Sequence, residues 1–102
     1  MSSHILKTLQ MLKIKYQALG FLIIGVFGSQ ARGDATATSD IDIVYDIDKT
    51  FLEHFNGWNA VVQIDKIKKE IKQSLNLEVD LASIDNHSKT FQKTLKDELI
   101  YV

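Results

Sequence analysis

Phe21-Leu22-Ile23-Ile24-Gly25-Val26-Phe27-Gly28-Ser29, followed after ten residues by Asp40-Ile41-Asp42-Ile43-Val44-Tyr45-Asp46-Ile47-Asp48, decides the fold. The first stretch is short, continuous and rich in β-branched residues, the pattern of a central strand buried on both faces. The second alternates. Ile41, Ile43, Tyr45 and Ile47 point one way, and Asp40, Asp42, Asp46 and Asp48 the other with Val44 among them, so a strand with one apolar and one acidic face is expected.

Outward from these strands the periodicity changes. Ile5, Leu9, Leu12, Tyr16 and Leu19 recur at steps of four and three, which predicts a helix over 3–19, and Gly20 is suited to end it. Ser29 is a good N-cap for a short turn through Ala31 and Arg32 that Gly33 can close, and 34–39 is a loop by composition. Residues 49–58 have no steady period and are expected to be a mobile connection. A helix is predicted over 59–75 with Ile64, Ile67, Ile71 and Leu75 on its stripe, then a strand over 77–82, then a helix capped by Ser88 and carrying Phe91, Leu95 and Leu99. The predicted class is α/β: a three-stranded mixed sheet with helices mainly on one face.

The 102 residues allow one domain, 1–102, with no room for a separate substrate domain. Twelve Lys and Arg against 13 Asp and Glu leave a net charge of -1, so there is no broad positive field and no direct nucleic-acid contact is expected. No cysteine is present, which excludes disulfides, thiolate metal sites and cysteine nucleophiles. The longest apolar run, Phe21 to Gly28, is far too short to span a bilayer, and Met1-Ser2-Ser3-His4 has no signal pattern. No membrane partner is expected, and the expected location is the cytoplasm.

The chemistry lies in Gly28-Ser29, ten residues, then Asp40-x-Asp42. With each residue at roughly 6% of composition, a chain this long matches that pattern by chance about once in a thousand sequences. A short connection lets the second strand return antiparallel to the first, bringing Gly28-Ser29 beside Asp40 and Asp42. A helical crossover permits the third strand to pair parallel with the second, which places Asp80 beside them on the matching polar face. Carboxylates gathered this closely repel one another unless cations sit among them, and oxygen ligands select hard ions, Mg²⁺ or Mn²⁺. Two such ions about 4 Å apart would clamp a phosphoryl displacement. Gly28 lets a phosphate approach the backbone, and the N–H groups of the Ser29 turn point at it.

Val26-Phe27-Gly28-Ser29-Gln30-Ala31-Arg32-Gly33 and Ser39-Asp40-Ile41-Asp42-Ile43-Val44 together resemble the signature of the polymerase-β-like nucleotidyltransferase superfamily. Within it the chain is similar to the minimal nucleotidyltransferases (MNT), small prokaryotic proteins encoded beside a helical HEPN partner. Leu77-Glu78-Val79-Asp80-Leu81 fits the family's third-carboxylate strand, so the resemblance covers nearly the whole chain. It implies a minimal polymerase-β-like core and transfer of AMP from ATP onto a tyrosine of a HEPN RNase toxin, which silences the toxin and makes this chain an antitoxin. On that reading Asp40 and Asp42 hold two Mg²⁺ ions, Asp80 completes one site and helps deprotonate the attacking hydroxyl, and Gly28 and Ser29 orient the triphosphate. Gln30 and the Thr/Ala-rich loop 35–38 depart from the family pattern without touching a metal ligand.

Simpler roles stand beside these. Ser29 could be only a helix cap, Asp40 and Asp42 a solvated strand edge, and Asp80 the polar residue that any alternating strand places there. Arg32 could meet a phosphate, a surface carboxylate or a partner's acidic groups. Asp46 and Asp48 are expected to face solvent, and Lys66, Lys68, Lys69 and Lys72 to form a solvated helix face. Trp58 is either core or an interface anchor, and Leu99-Ile100-Tyr101-Val102 is an apolar end suited to a partner. The rival functions are an aminoglycoside-type, small-molecule nucleotidyltransferase and an antitoxin that acts by binding alone.

Overall fold

The computed structural model describes residues 3–27, 40–85 and 89–102. Helix α1 spans Ser3–Gln17, strand β1 Phe21–Phe27, β2 Ile41–Ile47, helix α2 Lys49–His54, α3 Trp58–Leu75, β3 Val79–Ser83, α4 Lys89–Glu98 and β4 Ile100–Tyr101. Among the described residues the sheet has four strands in the order β3-β2-β1-β4, not the three expected. β1 pairs antiparallel with both β2 and β4, and β2 pairs parallel with β3.

The missed strand is two residues long, too short for any periodicity to show. Its signal lies instead in β1. A side chain at Gly25 would place its Cβ 2.3 Å from the Ile100 carbonyl oxygen, so only glycine lets β4 pass this close. The register of β1 on β2 also shifts between Ile23 and Gly25, a bulge that glycine accommodates.

One face of the sheet carries the main core. Leu9, Leu12 and Tyr16 of α1 and Ile67, Ile71 and Leu75 of α3 meet Phe21, Ile23, Val26, Ile41, Ile43 and Val79 there, as the helical stripes predict. Phe51 joins them from α2, 6.2 Å from the Phe21 ring, while Tyr45 stacks on Phe21 at 4.9 Å. Residues 49–54 are therefore a helix and not a mobile connection. Asp48 is exposed, as expected, and its side chain also accepts a hydrogen bond from the Phe51 N–H at 3.2 Å and so caps α2. Gly20, at φ +85°, turns the chain from α1 into β1, with its N–H on the Gln17 carbonyl at 3.0 Å.

Helix α4 takes the opposite face. Val44 and Leu95 are buried outside the main core, and Phe91 meets Phe27 edge-on at 5.7 Å. Three described helices thus cover one face and one covers part of the other. Across the helical layer, Lys15 bonds Glu70 and ties α1 to α3. The Tyr16 hydroxyl is buried near Glu70 without a well-aligned hydrogen bond. Desolvation first, then Glu70, pushes its pKa well up.

Candidate active site

Strand register brings the acidic residues together. Phe27 at the end of β1 lies opposite Asp42, and Asp42 lies opposite Asp80. Partners in register share a face, so Phe27, Asp42 and Asp80 form one row across three strands. The expected juxtaposition of Asp42 with Asp80 is therefore present, produced by the parallel β2–β3 pairing that the α3 crossover permits. Asp40 stands two residues before Asp42, just ahead of β2, and is exposed. The Ile41 N–H bonds the Glu78 carbonyl at 2.9 Å and locks the two strand starts together.

Asp42 is half-buried, and Asp80 is exposed on β3, which among the described residues has β2 as its one strand neighbour. The ring of Phe91 on α4 packs edge-on against Phe27 at the β1 end of the row. Among the described residues no three acidic or histidine side chains close into a ready ligand group. The backbone supplies the Asp42–Asp80 pair and sets Asp40 one step away; as an all-carboxylate donor set on one face, these residues suit a hard divalent cation. Gly28, Ser29 and Arg32 lie outside the described residues.

Two neighbours of the row carried no role in the sequence reading. Phe27, which the sequence reading places in a buried strand and in the family signature, directly precedes Gly28-Ser29 in the chain. Glu78, two residues before Asp80, pairs with Lys72 at 2.8 Å, while Lys72 stays on the exposed helix face expected for it.

The family model described as "Polymerase beta, Nucleotidyltransferase" matches residues 7–102. The chain belongs to this family. The nucleotidyltransferase is also similar over most of its length to proteins with curated names. "Putative protein adenylyltransferase MJ1379" of Methanocaldococcus jannaschii is 32% identical over 94 residues, covering 91% of this chain and 85% of that protein. "Protein adenylyltransferase MntA" of Thermococcus cleftensis is 30% identical over 86 residues, covering 84% and 79%.

Solved structures share the nucleotidyltransferase's fold. One, "Structure of putative minimal nucleotidyltransferase", superposes with a TM-score of 0.70 at 23% identity, covering 99% of this chain and 100% of that one. Another, "Crystal structure of the toxin-antitoxin with AMP-PNP", gives 0.65 at 17% identity, covering 93% and 69%. The enzyme class is thus a nucleotidyltransferase, for which family membership implies a nucleotide substrate and a divalent metal. No helix among the described residues is long and apolar enough to cross a membrane.

Proposed function

We propose that this chain is an MNT-type antitoxin, a Mg²⁺-dependent protein adenylyltransferase that moves AMP from ATP onto a tyrosine of a HEPN RNase toxin. It acts as one nucleotidyltransferase domain over 1–102, in the cytoplasm, where ATP and a toxin that cuts RNA are both found. The observation that carries the reading is the in-register pair Asp42–Asp80 beside the end of β1, the strand that leads directly into Gly28-Ser29. Relatives named as protein adenylyltransferases support the AMP-transfer step. A structural neighbour described as a toxin–antitoxin with AMP-PNP supports the partner and the nucleotide.

In the reaction, the tyrosine oxygen attacks the α-phosphorus of ATP. A new O–P bond forms, the bond from the α-phosphorus to the bridging oxygen breaks, and pyrophosphate leaves with that electron pair. Asp40, Asp42 and Asp80 are the residues that would hold two Mg²⁺ ions, which when bound polarise the phosphoryl group and stabilise charge on the attacking and leaving oxygens. Asp80, exposed on β3, takes the phenolic proton. Gly28 and Ser29 seat the triphosphate through backbone N–H groups, and Arg32 contributes a positive charge to it.

The test is transfer of label from α-labelled ATP to a purified HEPN chain. Label on that chain, lost with EDTA and restored by Mg²⁺, is the expected result. Label that instead appears on an aminoglycoside assigns the chain to small-molecule chemistry. Toxin silenced with no label transferred assigns it to inhibition by contact.

A further inference from the structure

The outer edge of β3 carries backbone groups that β2 does not use. In the parallel ladder Ile41 stands opposite Val79 and Tyr45 opposite Ser83. The Ile41 N–H bonds the Glu78 carbonyl, and the Ile84 N–H bonds the Tyr45 carbonyl, each at 2.9 Å. Each bonded residue of β2 thus reaches the two residues that flank its partner. That phase turns the backbone of Asp80 and Ala82 toward β2 and the N–H and C=O groups of Val79, Leu81 and Ser83 away from it. Among the described residues no strand meets these outward groups, and such a row is a template for a further extended chain.

This edge borders the acidic row. A strand bonded antiparallel to Val79 and Leu81 sets one residue directly opposite Asp80, between those bonds, where Cβ atoms stand roughly 4.5–5.5 Å apart. The side chain of that residue emerges on the face of Asp80 and extends the row Phe27–Asp42–Asp80 by one place. Charge decides which strand can pair there. From Asn76 to Ser88 the chain has Glu78, Asp80 and Asp85 and no lysine or arginine. Lys72 answers Glu78, and among the described residues no ion pair answers Asp80 or Asp85. A second copy that paired β3 with β3 would set one acidic strand against another, which like charges disfavour. A segment with lysine or arginine near its paired residue matches the edge instead.

We propose that the acceptor protein adds an extended, basic segment to the outer edge of β3, with the residue to be modified opposite Asp80. The inference rests on the functional reading above, which requires a second protein chain to bring the hydroxyl, and it names how that hydroxyl arrives. Of the partners an open edge could take, the acceptor is the one whose paired side chain has a use in the row: it stands beside the carboxylate that takes its proton. Main-chain bonds to Val79, Leu81 and Ser83 hold the segment whatever its other side chains are. Selection among acceptors then falls to extended conformation and positive charge.

The experiment reads amide exchange at Leu81 and Ser83 in the full chain, alone and with a purified HEPN chain as the probe. Exchange at both is expected to slow at least tenfold on binding. Ser83→Pro removes one outward N–H and leaves the bonds to β2 in place, so Tm should stay within a few degrees. Its binding to the HEPN chain is expected to weaken at least tenfold. Three results overturn the proposal: binding with exchange at Leu81 and Ser83 unchanged, Ser83→Pro binding within twofold of wild type, or slowed exchange that appears in the chain alone and grows with its concentration. AMP transfer to the HEPN chain with unchanged exchange refutes the edge and leaves the functional reading standing. Slowed exchange with no label passed from α-labelled ATP refutes that reading and leaves the strand pairing standing. A HEPN chain that does not bind the wild type refutes both.

Discussion

Gly25→Ala is expected to dislodge β4. The added methyl carbon would lie 2.3 Å from the Ile100 carbonyl oxygen, 2.9 Å from its carbon and 3.0 Å from Leu99 Cδ1. Relaxed contact between carbons needs about 3.5 Å, so one backbone must retreat by roughly 1 Å. If β4 retreats, the ladder positions Gly25–Tyr101 and Val26–Ile100 weaken, as does the bond from the Val102 N–H to the Ile24 carbonyl at 3.2 Å. Two or three such bonds at ~1 kcal/mol each give about 2–3 kcal/mol. If β4 holds, overpacking costs about 1–3 kcal/mol instead. Alanine returns ~0.5–1 kcal/mol by restricting the unfolded chain, which leaves a net loss of about 2 kcal/mol. For a domain of this size that lowers Tm by roughly 8–16 °C. Thermal melts followed by circular dichroism measure it, and amide exchange at Val102 locates it. A fall in Tm below about 3 °C, or a lower Tm with the Val102 amide fully protected, would refute the reasoning.

Asp42→Asn should abolish AMP transfer by orders of magnitude while Tm moves by only a few degrees, because it removes charge and keeps shape; transfer within tenfold of wild type in the labelled-ATP assay would contradict the metal role. Asp48→Ala removes the cap of α2 and should cost ~1 kcal/mol in a denaturant melt, whereas Asp48→Asn should cost much less. Burial raises the Tyr16 pKa above its ordinary 10.0, so the folded state favours the neutral phenol. That contribution is complete below pH 10 and is lost as pH rises above it, so stability should drop in alkali. Tyr16→Phe should shrink the drop and stay within ~1 kcal/mol of wild type at neutral pH, since the hydroxyl has no well-aligned bond to lose. Melts at pH 8 to 11 test both points, with Tyr45, likewise raised by burial, supplying the residual slope.

Where the chain was long enough to show a period, its structure was legible beforehand. Leu9, Leu12 and Tyr16 face the core from α1, and Ile67, Ile71 and Leu75 from α3. Alternation in 40–48 placed Ile41 and Ile43 inside and Asp42 on the other face. The short elements were hidden. Six residues of α2 span less than two turns, and Asp48, the cap that announces the helix, looked like one more member of an alternating strand. β4 has two residues, and its trace was a glycine in the strand it joins. The side of the sheet taken by α4 depends on how β4 docks, which no local pattern encodes. At the site, Asp42 and Asp80 were legible as neighbours because pairing direction follows from connection length. How far each side chain closes on a third ligand is set by tertiary geometry and had no signature.

Asp80 and Asp42 stand on strands of unequal security. β2 is held on both flanks, whereas β3, five residues long, has β2 beside it and no second strand among the described residues. Local opening follows such differences, and an outer strand frays at a smaller free-energy cost than a central one. On the proposed reading, one carboxylate is bolted down and the other is hinged. Warming should therefore release the proton acceptor before it releases the shared metal ligand. Turnover should then decline several degrees below the melting transition, with the Mg²⁺ site that Asp80 completes lost first and the one held by Asp40 and Asp42 outlasting catalysis.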